Sequence, residues 1–330
     1  MKKVFVTGAD GLLGANVVRE LLNRGYQVTT MIQPGHKAPT LDDLDIEKVE
    51  ADLLDREKII QITADSNIII HIAAITNLWP SRGMIYHQVN VKGTQHVVEA
   101  ALAHQVDRMI HVGTANSCGF GSLETPGTEE DISTFDQYGL DYIDSKLKGE
   151  EIVLEATINY GLNGVIVNPT FLMGPYDAKP SSGKLILEVA KGHIIGFAPG
   201  GKCWAAVKDV AVAICNAITM GRIGERYILG GENLPYKVAM KQIFEVVGRK
   251  APLVTIPAFF VKLAGIIGSL ISRITRKAPR MSYPMAQIAS AEHYFSSAKA
   301  IKELNMPQTP LREALEEAWA WLKTNGYMDK

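Results

Sequence analysis

The chain has 330 residues, 47% of them hydrophobic and 21% charged, and a formal net charge of −1. That composition suits a folded soluble protein built as one large α/β domain with a smaller lobe, and it gives no footing for a nucleic-acid partner, which would need a basic stripe. Three cysteines, Cys118, Cys203 and Cys215, form no C-x-x-C pair and read as reduced thiols of a cytoplasmic protein.

Met1-Lys2-Lys3 has the charge order of an export signal, but the apolar run Val4-Phe5-Val6 stops at Thr7-Gly8. A secretory core needs roughly 7–15 apolar residues, so the segment reads as a first strand, Lys3–Val6, and no export is expected. Residues 7–14 follow as Thr-Gly-Ala-Asp-Gly-Leu-Leu-Gly, and a helical pattern over Ala15–Arg24 comes next. Glycines Gly8, Gly11 and Gly14 at this junction, with Asp10, Leu12 and Leu13 between them, suit a pyrophosphate lying against a helix N-terminus, where free N–H groups favour negative charge. The spacing is G-x-x-G-x-x-G, and its weight comes from the strand before it and the helix after it.

The second strand, Gln27–Ile32, runs out into Gln33-Pro34-Gly35-His36-Lys37 without the carboxylate that usually holds the ribose hydroxyls of NAD. Lys37, helped by His36, offers charge to a 2′-phosphate. NADP(H) is therefore favoured over NAD(H), although Gln33 is neutral towards both and Lys37 also reads as a solvated loop residue. A third strand, Val49–Ala51, leads to Asp52-Leu53 at the adenine edge, and a fourth, Ile68–Ile72, leads to small residues Ala73 and Ala74 where a cofactor lies close. A helical stretch over Val91–His104 precedes a fifth strand, Arg108–Val112. Thr114 follows at that strand's carboxyl end, where open α/β sheets bind ligands, and its hydroxyl suits a donor to a substrate carbonyl.

Tyr142 and Lys146 stand four residues apart, one turn of a helix. A phenol with a resting pKa of about 10 needs a nearby positive charge to exchange protons near neutrality, and Lys146 is placed to supply it and to bond a nicotinamide ribose. Alone, Y-x-x-x-K also describes a surface pair on an amphipathic helix; the order of glycine turn, Thr114 and Tyr-x-x-x-Lys gives it meaning. A sixth strand, Gly164–Val167, completes an alternation expected to form a doubly wound parallel sheet of the Rossmann type, with a smaller, mainly helical C-terminal lobe. The dinucleotide-binding part is expected over 1–175. Two later strand-like pieces, Cys203–Val207 and Arg226–Leu229, are expected to return to its sheet, and 176–330 mainly forms the substrate lobe. Leu253–Ser272 is a run of about 20 mostly apolar residues, near bilayer-spanning length. Pro257, Lys262, Gly265 and Gly268 interrupt it, so it is expected to be a packed helix or lid rather than a membrane-docking segment. Leu311–Thr324 ends the chain as an amphipathic helix.

These pieces together resemble the extended short-chain dehydrogenase/reductases, in the branch containing dihydroflavonol 4-reductase and 3β-hydroxysteroid dehydrogenase. The resemblance runs through Thr7–Gly14, Asp52-Leu53, His71–Ala74, Val89–Thr94 with Asn90, Thr114, Tyr142/Lys146, Asn168-Pro169-Thr170 with Gly174-Pro175, and on to Phe295–Ala300. It implies a Thr114–Tyr142–Lys146 catalytic set and cofactor contacts from Asn90 and from Asn168, Pro169, Thr170 and Phe171. It also implies a possible homodimer through sheet-covering helices. Two departures stand out: Gly113 replaces a usual serine beside Thr114, and Gln33 stands where many members carry arginine.

The scaffold serves several chemistries. Ala115 and Asn116 lack the Asp-Glu pair of a dehydratase, and Lys202 with Trp204 offers no arginine for a substrate diphosphate. The reading is thus reduction of a ketone on an apolar or aromatic small molecule, with Trp79, Tyr176 and Trp204 as candidate substrate contacts that also read as ordinary packing. A nucleotide-sugar epimerase with tightly bound NAD is the alternative, and a non-enzymatic NADP-binding sensor, which typically lacks the tyrosine, is a third. No metal site is expected.

Overall fold

The computed structural model describes residues 2–252 and 254–328, so Leu253, first residue of the apolar run, lies outside the described residues. The strands are β1 (Lys3–Thr7), β2 (Gln27–Ile32), β3 (Glu47–Glu50), β4 (Ile68–His71), β5 (Arg108–Val112), β6 (Gly164–Pro169), β7 (Phe171–Met173), β8 (Gly201–Ala206), β9 (Arg226–Leu229), β10 (Glu232–Pro235) and β11 (Glu292–His293). Seven make one parallel sheet in the order β3-β2-β1-β4-β5-β6-β9. The chain winds outward from β1 to β3 and then returns to β4. The strand order therefore reverses between β1 and β4, the place where such sheets open a crevice at their carboxyl ends.

The central strands are apolar on both faces because both are covered. Val4, Val6, Ile68, Ile70, Val165 and Val167 pack under the helices Leu12–Asn23 and Val207–Met220. The alternate residues Phe5, Ile69, Met109 and Ile166 pack under the helices Gly93–Ala103 and Asp141–Tyr160. At the edge, β3 reads Glu-Lys-Val-Glu and is largely exposed. Its pairing with β2 begins at Thr29↔Glu47, two residues before the expected strand, because an edge strand carries charges where a central one carries valines.

Of the two later strands expected to rejoin this sheet, β9 does so beside β6, and β8 does not. Instead β8 lies between β7 and β10, with β11 also paired to it, in a separate small sheet. Helices Gly183–Ala190, Tyr236–Val247 and Leu311–Thr324 surround that sheet.

The apolar run forms the helix Ala258–Thr275. The expectation of a packed helix is met on one face only. Val261, Gly265 and Ser272 are its buried residues, on the one face that meets the short helix Tyr283–Ala289. Its remaining apolar side chains are exposed, since no neighbouring element rises to cover them.

Candidate active site

The carboxyl ends of β1, β4, β5 and β6 bring together the glycine turn, the Ile72–Ile75 loop, Thr114 and the Asn168–Phe171 segment. Gly8 has φ +71° and passes so close to the loop after β4 that a Cβ there would lie 2.7 Å from the Ala73 amide nitrogen. Gly11 is the N-cap of helix Leu12–Asn23, and no side chain caps it. Its first-turn N–H groups remain for a diphosphate, so the residues present fit a dinucleotide. Asp10 in the same turn is ion-paired to Lys179 at 2.9 Å.

Beneath the turn lies a hydrogen-bond relay. Thr7 Oγ1 accepts from the amides of Ile72 and Ala73, both at 3.1 Å, and its proton points to His71 Nδ1 at 2.8 Å. His71 Nε2 then donates to Thr94 Oγ1 at 3.0 Å, whose proton lies on the Asn90 carbonyl at 2.7 Å. Counting donors leaves one tautomer, with the proton on Nε2. Burial first, and the Lys146 charge second, push the His71 imidazole down to about 3, so it stays neutral.

Asn90 is almost fully buried. Its amide accepts from Ile75 N at 2.7 Å and donates to Ile75 O at 3.0 Å and Ser145 Oγ at 2.9 Å. The cofactor contact expected of it is thus taken up internally: it clamps the loop after β4 to the helix bearing Tyr142. Arg82 and Gly83 bind Asp141 at that helix's first residue, tying the loop to it a second time.

Helix Asp141–Tyr160 places Tyr142, Lys146 and Glu150 on successive turns of one face. Thr114 Oγ1 accepts from Asn116 N at 3.4 Å, which leaves its own proton to donate. It lies in bonding reach of the Tyr142 phenol and opposes the upward push that burial gives that phenol. The Lys146 ammonium is turned to the Val112 carbonyl at 2.6 Å. The charge felt most directly by Tyr142 is that of Glu150, which raises it further, rather than that of Lys146 as the sequence suggested. Burial lowers Lys146 towards about 8 while Glu150 holds its charge.

Glu150 is the functional neighbour the sequence reading missed. It is 1% exposed, accepts from Ser117 Oγ and touches the Asn168 amide. Burial raises its carboxyl, against the pull of Ser117 and Lys146. The available signal was a carboxylate one further turn beyond Tyr-x-x-x-Lys on a helix whose inner face must be apolar. It also explains Gly113, because a Cβ there would lie 2.2 Å from Asn168 Oδ1 and 2.3 Å from Glu150 Oε1.

Other predicted contacts divide. Asp52 is exposed and accepts from Leu54 N at 2.9 Å, and Leu53 is buried against Gly93. Leu13 is buried, and Ala73 and Ala74 line the mouth between β1 and β4 half-buried. Past β2, a groove is lined by Gln33 and His36 but not by Lys37. Two carboxylates that the window after β2 could not reveal, Asp42 and Glu50, also face it; Lys48 holds Asp42 at 2.9 Å and the Gly35 amide binds Glu50 at 3.0 Å. Pro169 ends β6, Thr170 N bonds the Leu229 carbonyl at 3.1 Å, and the Phe171 ring lies beneath the Lys202 ammonium at 4.3 Å.

Two of the three expected substrate contacts are engaged elsewhere. Trp204 is 1% exposed and fills the core of the second lobe, edge-on to Phe171 at 5.0 Å. Tyr176 packs under the Arg19 guanidinium at 3.7 Å and beside Trp321, at the outer junction of the two lobes. Trp79 stays near the site, its indole donating to Ser272 on helix Ala258–Thr275 at 2.7 Å. Tyr142 also borders an apolar cluster that includes Leu78, Cys118, Phe120, Phe135 and Ile288.

Comparison with known proteins agrees with this geometry. Residues 4–230 match the model of the NAD dependent epimerase/dehydratase family. The chain is 30% identical to "Sterol demethylase protein B" of Methylococcus capsulatus, over 98% of each sequence. It is 28% identical to a "Putative dihydroflavonol 4-reductase" of Synechocystis sp., over 98% of this chain and 95% of that one. The crystal structure of gox2253 superposes with a TM-score of 0.87 at 30% identity, covering 99% of this chain and 100% of that one. A parallel seven-stranded sheet, a glycine turn fitted to a dinucleotide and a Tyr-Lys helix thus coincide with matches along nearly the whole sequence, and the chain belongs to the NAD-dependent epimerase/dehydratase family as an oxidoreductase of the extended short-chain dehydrogenase/reductase type.

Proposed function

We propose that this enzyme reduces a ketone on an apolar small molecule, with NADP(H) as the favoured cofactor. The observation that carries the reading is the Tyr142 phenol in bonding reach of the Thr114 hydroxyl and at the border of an apolar cluster that includes Leu78, Phe120, Phe135 and Ile288. An apolar cluster beside the reacting phenol favours an apolar carbonyl compound over a sugar bearing a diphosphate.

The turn at Gly8–Gly14 would hold the diphosphate of a bound dinucleotide, which would supply the hydride for the carbonyl carbon. Thr114 donates a hydrogen bond to the carbonyl oxygen, polarising it. Tyr142 transfers its phenolic proton to the same oxygen, so the carbonyl becomes an alcohol and the phenolate is reprotonated from solvent. Lys146 keeps a positive charge behind that exchange, and neutral His71 holds the glycine turn to the loop after β4. The preference for NADP(H) rests on His36 in the groove past β2 and on the engagement of the two carboxylates that also face it, Asp42 by Lys48 and Glu50 by the Gly35 amide.

A second reading, nucleotide-sugar epimerisation with bound NAD, draws on Lys202. That cation stands over Phe171 with no carboxylate partner among the described residues, and burial lowers it to about 8. The test is a screen of NADPH and NADH oxidation with apolar ketones beside turnover of UDP- and dTDP-sugars. Ketone-dependent oxidation that falls roughly 10²–10⁴-fold in Tyr142→Phe supports reduction. Sugar epimerisation without ketone turnover overturns it, and equal rates with both coenzymes remove the NADP(H) preference.

A further inference from the structure

Helix Ala258–Thr275 is 18 residues long, about 27 Å at 1.5 Å per residue. An ordinary surface helix buries one apolar stripe and offers polar residues to water. This one buries Val261, Gly265 and Ser272 and, on the opposite side, exposes a second apolar face including Phe259, Leu263, Ile266, Ile267, Leu270 and Ile274. At 100° per residue these six fall within an arc of about 100° directly across from the packed one. Phe259 is 70% exposed and Ile274 85%.

Charge marks what this face meets. The chain has 34 basic and 35 acidic residues, yet between Glu245 and Glu292 it carries seven basic residues and no acidic one. The remainder of the chain is therefore net negative by eight. Lys262, Arg273, Arg276, Lys277 and Arg280 are exposed along and just beyond the helix, and none forms an ion pair among the described residues. A second copy of the chain laid on the same face would bring cations against cations with no acid in the segment to match them. An anionic bilayer surface satisfies both features at once, taking the apolar face into its acyl boundary and the arginines and lysines at its headgroups.

We propose that helix Ala258–Thr275 docks this enzyme, in the plane of the interface, on a membrane rich in anionic lipid. Crossing the bilayer is a poorer solution, because the helix is packed on Tyr283–Ala289 and tied to Trp79 through Ser272, and insertion would strip away both contacts. The same Trp79 contact ties the docked helix to the loop that holds the start of the Tyr142 helix. An apolar substrate dissolved in lipid would thus arrive beside the site; that consequence rests on the ketone-reductase reading, whereas the docking does not.

Sedimentation of the full-length protein with vesicles tests it. The protein should pellet with vesicles of phosphatidylcholine and phosphatidylglycerol in equal parts. Pelleting should drop at least about tenfold with phosphatidylcholine alone or at about 1 M salt, where screening shortens to ~3 Å. Phe259→Asp/Ile274→Asp and Arg276→Glu/Lys277→Glu should each lose binding while keeping the circular dichroism and the activity on a water-soluble substrate of the parent. Equal pelleting with both vesicle types overturns the proposal, as does protein left in the supernatant by both. A dimer in size-exclusion chromatography that Phe259→Asp/Ile274→Asp dissociates also overturns it, assigning the face to a second copy.

Discussion

Lys146 and Glu150 are buried one helical turn apart, and each stabilises the other's charge against desolvation. Reduction needs Tyr142 protonated and Lys146 charged, and both conditions fail on the alkaline side. With Lys146 lowered towards about 8, kcat/KM for ketone reduction should decline above roughly that pH. Glu150→Gln removes the anion that supports Lys146 and that raises Tyr142, so both groups titrate lower and the alkaline limb moves to lower pH. The comparison is a pair of kcat/KM–pH profiles on one ketone; a limb that stays put while the variant melts normally would separate Glu150 from the proton chemistry. Gly113 belongs to the same group of residues. Gly113→Ser adds a second hydroxyl beside Thr114, but its Cβ would intrude on Asn168 and Glu150, so it should lower stability by about 1–3 kcal/mol without raising turnover. Urea unfolding of the variant checks this, and an unshifted midpoint would mean that the Glu150 side chain swings away freely.

Elements meet at this site through polar side chains rather than apolar ones, and Thr7 at the end of β1 is the clearest example. Its hydroxyl serves two amides of the loop after β4 and the ring of His71, so Thr7→Val leaves the Ala73 amide and His71 Nδ1 short of a partner, while the Ile72 amide keeps the Thr7 carbonyl at 3.3 Å. The expected loss is about 1–3 kcal/mol per unpaired group, together with weaker dinucleotide binding, and Thr7→Ser should recover both. Calorimetry and cofactor titration read these separately; a valine variant as stable as its parent would contradict the relay. The distinction also explains what was legible beforehand. Strands covered on both faces announce themselves as apolar runs, and β1, β2, β4, β5, β6 and the buried edge strand β9 were readable because both sheet faces demand apolar residues. The charged edge strand β3 was displaced by two residues for the opposite reason. The sheet joined by β8, the burial of Trp204 and the exposure of helix Ala258–Thr275 depend on which elements lie alongside, and no local pattern encodes that. Thr114, Tyr142 and Lys146 came forward because each occupies a fixed place on a strand end or helix, whereas Glu150 looked like one more surface acid on an amphipathic helix.

At the scale of the whole molecule, three histidines are buried in neutral form, and together they make the fold sensitive to acid. Burial lowers His71 to about 3, His293 to about 4 and His111 well below its ordinary value. In the unfolded chain each titrates near 6.5, so between that pH and about 4 the unfolded state binds more protons than the folded one, and stability falls as pH falls. At pH 5 each unprotonated imidazole costs about 2 kcal/mol relative to neutral pH, a large share of a typical 5–15 kcal/mol. Asp144, Glu150 and Asp177 work the other way, since burial raises all three carboxyls above their unfolded values and folding retains their protons as the pH drops. The three imidazoles, whose unfolded value lies inside the window, set the expected decline between pH 7 and pH 5. Urea midpoints at pH 7 and pH 5 should show it directly. His111 isolates the cause, because neither of its ring nitrogens has a hydrogen-bond partner and an apolar replacement breaks no bond. His111→Leu should therefore flatten the decline by about one histidine's share while leaving the pH 7 midpoint near that of the parent. A variant whose midpoint falls between pH 7 and pH 5 as steeply as the parent's would shift the origin of acid sensitivity away from the core of the sheet.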